Sequence, residues 1–138
     1  TLIDYFGGDG EDVVIPNISQ NIPHNMFAFK NISNVTFEKG VAVMSLGSSA
    51  FTSSTIKSIV FPPCLSYIGH YCFENCNQLT EISFSNTTVD RILDGCFRNC
   101  AGLKKLILAE SKVKNIYWTA FSSTALDTIE RPFNKSDF

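Results

Sequence analysis

The sequence predicts an α/β repeat solenoid of about five repeats of 22–24 residues, with a parallel sheet on one face, an N-terminal β-hairpin cap and little helix. Three observations predict it. The stretch IGHYCFENCNQLTEISF at residues 68–84 returns as ILDGCFRNCAGLKKLIL at residues 92–108, with looser copies at 22–37, 46–61 and 116–129. A phenylalanine follows an aliphatic residue by five positions at Phe27, Phe51, Phe73, Phe97 and Phe121, with spacings of 24, 22, 24 and 24. An LxxLxL-like triplet then follows each ring. A period in this range corresponds to one strand plus one short turn segment per repeat.

The first segment, LIDYFGGDGEDVVIP, reads as two short strands, 2–6 and 13–15. Gly7, Gly8 and Gly10 supply the positive φ values a tight reversal needs. An atypical terminal unit covers the apolar end of a stack, so this hairpin reads as a cap. The repeats then occupy 16–132 and a tail 133–138, all within one domain spanning 1–138.

Within a repeat, Leu79, Ile82 and Phe84 alternate with Thr80, Glu81 and Ser83. That is the pattern of a strand with one buried and one wet face. Equivalent triplets are Ile32, Val35 and Phe37; Ile56, Ile59 and Phe61; and Leu103, Leu106 and Leu108. A fifth begins with Leu126 and Ile129 and then meets Arg131 and Pro132, where the missing N–H should end regular pairing.

A second aliphatic precedes each ring-marking one by three: Val43, Leu65, Val89 and Val113. It predicts a second short extended segment and a corner. Segments such as GHYCF are too short and glycine-rich for a long helix, and a single helical or 3₁₀ turn is expected. Stacking then builds a phenylalanine spine about 4.8 Å apart, the strand spacing of a sheet. Each of its five rings is expected to be nearly fully buried.

With 44% hydrophobic residues the chain can fill a continuous core. A net charge of −2 and a pI near 5.6 give no general attraction to nucleic acid or to an anionic membrane surface. Lys104, Lys105, Lys112 and Lys114 read as one solvated face. No apolar run approaches the ~20 residues that span a bilayer, so no membrane insertion is expected. The chain opens at Thr1 without a methionine or a signal segment, which reads as a piece of a longer protein.

The motif IG, small residue, Phe, Asn-Cys, then LxxIxF, in CFENCNQLTEISF and CFRNCAGLKKLIL, resembles the BspA-like leucine-rich repeat family. The opening DYFGGDGEDVVIP is similar to the start of such domains. The resemblance covers roughly 4–132 and implies a right-handed leucine-rich-repeat solenoid from a secreted or cell-surface protein. Such proteins are most often bacterial and host-associated, and implicated in adhesion. No catalytic residue or cofactor comes with it. Pro23 stands where the motif has glycine, and the copies around Phe27, Phe51 and Phe121 lack the cysteine and are one residue shorter after the ring.

Five cysteines cannot all pair within a monomer. Stacking brings Cys72 and Cys76 beside Cys96 and Cys100, which superficially suggests a thiolate metal site or a Cys76–Cys100 disulfide. Inert core thiols are the preferred reading. Cys72 and Cys96 replace Ala50 and Ala120 of sister repeats, and Cys76 and Cys100 suit a small hydrophobe with a weak donor. No metal is therefore assigned. His24 and His70 belong to no local triad motif, and His70 with Glu74 reads as a solvated pair. GGDGEDV lacks both the lysine of a phosphate loop and the alternating acids of a calcium loop, so it reads as a turn. The sequons at Asn17, Asn31, Asn34, Asn86 and Asn134 read as turn asparagines rather than glycan acceptors.

The strand face is the candidate binding surface. One row across the stack holds Asn34, Ser58, Glu81, Lys105 and Thr128; another holds Thr36, Val60, Ser83, Ile107 and Glu130. Glu81 and Lys105 should be cross-strand neighbours, and Val60 and Ile107 put apolar side chains on a face that ought to meet water. The sequence therefore predicts a monomeric, non-enzymatic recognition or adhesion module, taking a protein or glycan ligand of host origin on this face. The alternatives are a structural spacer of a larger extracellular protein and, less favoured, a thiol or metal site.

Overall fold

The computed structural model describes residues 10–17, 20–40 and 42–131. The hairpin arm expected at 2–6 and the tail at 133–138 lie outside these residues. The described chain is a parallel β-solenoid without helix. In order, its strands are β1 (Glu11–Ile15), β2 (Asn21–Ile22), β3 (Ile32–Phe37), β4 (Ser45–Leu46), β5 (Ser58–Ile59), β6 (Tyr67–Ile68), β7 (Glu81–Ser83), β8 (Arg91–Ile92), β9 (Lys105–Ile107), β10 (Asn115–Ile116) and β11 (Thr128–Glu130).

The odd strands stack into one column and the even strands into another, as the two aliphatics per repeat require. Pairing runs β1-β3-β5 and β7-β9-β11 in the first column, β2-β4-β6 and β8-β10 in the second. Val13–Ile15, the second arm of the expected cap, lies within the outermost described strand, with Val13 opposite Val35 and Ile15 opposite Phe37. At the other end β11 stops at Glu130, before Arg131 and Pro132.

Each phenylalanine sits in a chain of tight turns whose amides divide their bonding. Met26, Ala28 and Lys30 donate to carbonyls three residues back, at Pro23, Asn25 and Phe27. The amides between them, Asn25, Phe27 and Phe29, donate across to Ser48, Ala50 and Thr52 of the next coil. Half of the local bonds of a 3₁₀ turn form, and stacking takes the rest, so no continuous helix results. Reorienting alternate amides puts the residues two before and two after each of the first four rings at positive φ, as at Ser49 and Ser53 (57° and 56°) and at Gly95 and Asn99 (63° and 62°).

The spine forms. Phe27, Phe51, Phe73 and Phe97 are fully buried, and neighbouring rings along Phe27, Phe51, Phe73, Phe97 and Phe121 stack nearly parallel with centroids 5.1 to 5.2 Å apart. Phe121 departs from the expectation of full burial and is half-buried. It lies in the last described coil, where Ile116 and Ile129 are also 44% and 50% exposed, so among the described residues one of its faces has no stacked ring.

Both columns lose their pairing along one line, between β5 and β7 and between β6 and β8. The segment joining β5 to β6 is shorter than those on either side of it: nine positions separate Ile59 from Ile68, against eleven from Val35 to Leu46 and ten from Ile82 to Ile92. It also carries Pro62 and Pro63, which have no N–H to give a neighbouring coil. Across this seam the amide and hydroxyl of Thr88 both donate to the Leu65 carbonyl, and the Phe turns stay closed.

Candidate ligand face

The alternation of β3, β7 and β9 buries Val35, Ile82 and Leu106 and turns the intervening side chains outward. Parts of the two expected rows form in register on either side of the seam. Asn34 pairs with Ser58, Glu81 with Lys105 and Lys105 with Thr128; Ser83 pairs with Ile107 and Ile107 with Glu130. Ser58 and Glu81 belong to separate pairing blocks because the seam runs between them.

The face is exposed to different degrees. Val60 is 65% exposed, whereas Ile107, Lys105, Ser58 and Ser83 are half-buried by their neighbours. Glu81 lies opposite Lys105, yet the Lys105 ammonium closes its ion pair with Glu130, Nζ to Oε1 at 2.9 Å, one rung further and diagonally placed. The hydrogen bond and charge of Glu130 raise the Lys105 pKa, with Glu81 adding less.

Sequence reasoning missed two parts of this surface. The first is its continuation onto β1. Asp12 Oδ1 accepts from the Asn34 amide and from Asn34 Nδ2, Ser58 Oγ donates to Asn34 Oδ1, and Val14 is 62% exposed in the apolar row. The alternating DVVI before Pro16 is the same strand signal as in the later repeats, and reading it as a cap set it apart. The second is a groove of about 360 Å³ where β5 and β7 part, lined by Ser58, Val60, Phe61, Thr80, Glu81 and Ser83. It lies where the β5–β7 ladder is missing and cannot be read from the strand triplets.

The four core thiols lie side by side as stacking requires, and are fully buried. Cys76 Sγ donates to the Phe51 carbonyl at 3.1 Å and Cys100 Sγ to the Phe73 carbonyl at 3.0 Å, each reaching the preceding coil. Cys76 also meets Ser54 Oγ, the residue that holds its place one coil earlier, at 3.7 Å. Burial pushes the Cys76 thiol up to about 11 and the Cys100 thiol up to about 12, and raises Cys72 and Cys96 as well. Protonated, carbonyl-bound thiols are poor metal ligands and poor nucleophiles. Cys64, half-buried, donates to the Val43 carbonyl.

The histidines are apart. His24 Nδ1 accepts from the Ser48 amide at 2.7 Å. Glu74 is not a surface partner of His70: its carboxylate takes the Arg98 guanidinium of the next coil, with Nε to Oε2 at 2.7 Å. Among the described residues no helix is long and apolar enough to cross a membrane.

The chain is similar to several solved structures. It matches a leucine rich cell surface protein from Faecalibacterium prausnitzii at 26% identity and a TM-score of 0.85, over 98% of this chain and 36% of that one. It matches the pneumococcal vaccine antigen PcpA at 25% identity and a TM-score of 0.76, over 88% and 29%. The leucine rich repeat protein of T. pallidum shares the fold at 18% identity and a TM-score of 0.56, over 89% and 74%. The chain thus spans about a third of the length of the first two. No curated protein matches it. Six copies of the BspA type leucine rich repeat region match residues 9–137, and the chain belongs to that family.

Proposed function

We propose that the chain is a non-enzymatic recognition and adhesion module of a secreted or cell-surface protein, binding a protein or glycan ligand of host origin through its strand face. The observation that carries this reading is the groove of about 360 Å³ between β5 and β7, which gathers Ser58, Val60, Glu81 and Ser83 on that face. Exposed Val60 supplies apolar contact area at its wall, and Glu81 and the serine hydroxyls supply directional bonds. The similarity to a leucine rich cell surface protein and to a vaccine antigen supports an extracellular setting.

A second reading is a structural spacer. It is favoured by the Asp12–Asn34–Ser58 chain of hydrogen bonds, which satisfies much of the polar row internally. The two separate on an array of matrix proteins and glycans probed with the wild-type domain and with a Val60→Glu, Glu81→Lys double variant of unchanged circular dichroism. Recognition through the face predicts a ligand that the variant loses. A folded domain with no ligand on either array moves the assignment to the spacer.

A further inference from the structure

The geometry points to a second binding site, for a neutral saccharide, on the column of even strands. Where β6 and β8 part, a pocket of about 330 Å³ opens, at the small end of the range for ligand pockets, about 300 to 1,000 Å³. It is separate from the groove on the odd strands and shares no lining residue with it. Its existence does not depend on the strand-face reading.

The repeat itself shows why the pocket lies here. The corner after each even strand carries Gly47 and Gly69 in the second and third coils, then Leu93 and Tyr117 in the next two. A Cβ at Gly47 would meet the His24 backbone nitrogen at 2.6 Å, so those early corners sit directly on one another and leave no space. Leu93, 7% exposed, forms an apolar floor instead, at the place where the β6–β8 ladder is missing.

Around that floor stand Tyr67 from β6, Tyr117 beyond β10, Arg91 and its neighbour Asp90, and His70. Tyr67 and Tyr117 are 46% and 43% exposed, with ring area open to solvent. The C–H faces of a pyranose ring lie well on such aromatic surfaces, while its hydroxyls need donors and acceptors at the rim. Arg91 offers a fork of donors and Asp90 a pair of acceptors. These two ion-pair loosely, Nε to Oδ1 at 3.8 Å, so their charges cancel while both remain open to a ligand. That balance favours an uncharged polyol over an anion or a cation. A pocket this size takes one or two sugar rings.

The test uses Trp118, the sole tryptophan, 90% exposed and adjacent to Tyr117, as a fluorescence reporter. The chain is titrated with cellobiose, lactose and chitobiose, and with sialyllactose as the acidic control, alongside saturation-transfer NMR. We expect at least one neutral disaccharide to bind below about 10 mM, with Arg91→Ala and Tyr117→Ala each weakening it about tenfold or more. Tyr117→Phe should keep the affinity, since the ring remains, and Val60→Glu on the other column should leave it unchanged. Failure of all three neutral disaccharides to bind, or binding of sialyllactose alone, overturns the assignment. So does binding that Arg91→Ala and Tyr117→Ala leave intact or that Val60→Glu abolishes. The outcome for the strand face is read separately, on its own array.

Discussion

The ring of Tyr71 occupies the space that a side chain at Gly95 would need: a Cβ there would fall within the van der Waals envelope of the ring's Cδ1 and Cε1. Equivalent positions in other coils hold Asn25, Ser49 and Tyr71 itself at positive φ, so backbone conformation alone does not demand glycine. Glycine is needed because the ring is held there. The Tyr71 hydroxyl donates to Asp94 Oδ2 at 3.3 Å, and the Arg98 guanidinium stands 5.3 Å from the ring centroid.

Gly95→Ala should therefore destabilise the chain by about 1 to 3 kcal/mol through overpacking. In a Tyr71→Ala background the same substitution should cost much less, because the obstructing ring is gone. Urea unfolding of the four proteins of this cycle measures the coupling; additive losses would show that the clash is not the cause.

Phe73→Ala and Phe97→Ala should each cost about 3 to 5 kcal/mol, since each ring is fully buried between two others. Phe121→Ala should cost distinctly less, because Phe121 is half-buried and stacks on Phe97 alone among the spine rings. Chemical denaturation of the three variants gives this order. Equal losses would mean that another layer covers Phe121.

The buried thiols make the fold sensitive to alkali. Unfolded, a thiol ionises near its ordinary value of 9.0; folded, burial holds Cys76 to about 11 and Cys100 to about 12. The folded chain therefore keeps protons that the unfolded chain loses. Their contribution is fully present below pH 9 and falls, at about 1.4 kcal/mol per pH unit per thiol, as pH rises toward the folded-state values. Melting temperature should drop steeply above pH 9. Cys76→Ser, which restores the residue type of Ser54, should flatten that drop.

At pH 8 without denaturant, a thiol reagent should label the half-buried Cys64 fastest and leave the other four nearly untouched; all five should react in urea. Rapid labelling of the four core thiols in the folded chain would contradict the packing around them.

Arg98→Met should cost about 1 kcal/mol and Arg98→Lys nearly as much, because a lysine ammonium cannot both meet Glu74 and lie flat over Tyr71. Unfolding at low and high salt separates the two contributions: the share lost at high salt belongs to Glu74.

The strand triplets, the phenylalanine spine, the alanine-equivalent thiols and the end of pairing at Arg131 were all legible in the sequence, because each repeats a local pattern. A residue's place in its repeat determines what it meets in the coils above and below. The pairing of Glu81 with Lys105, in register, follows from that alone. What the repeat cannot fix is how far apart two coils stand, and which of several neighbours a long side chain chooses. Lys105 takes Glu130 rather than Glu81, and Glu74 takes Arg98 rather than His70, because reach across coils depends on rotamers and on competing charges.

The two openings on either side of the seam belong to the same class. The sequence by itself determined the solenoid, its period and its outward rows, since burying one apolar face per repeat permits only stacking. Tertiary structure alone decided where the stack parts. Where a corner shorter than its neighbours carries two prolines without N–H groups, two ladders are left unpaired, and the side chains around those gaps become the surfaces on which a ligand can rest.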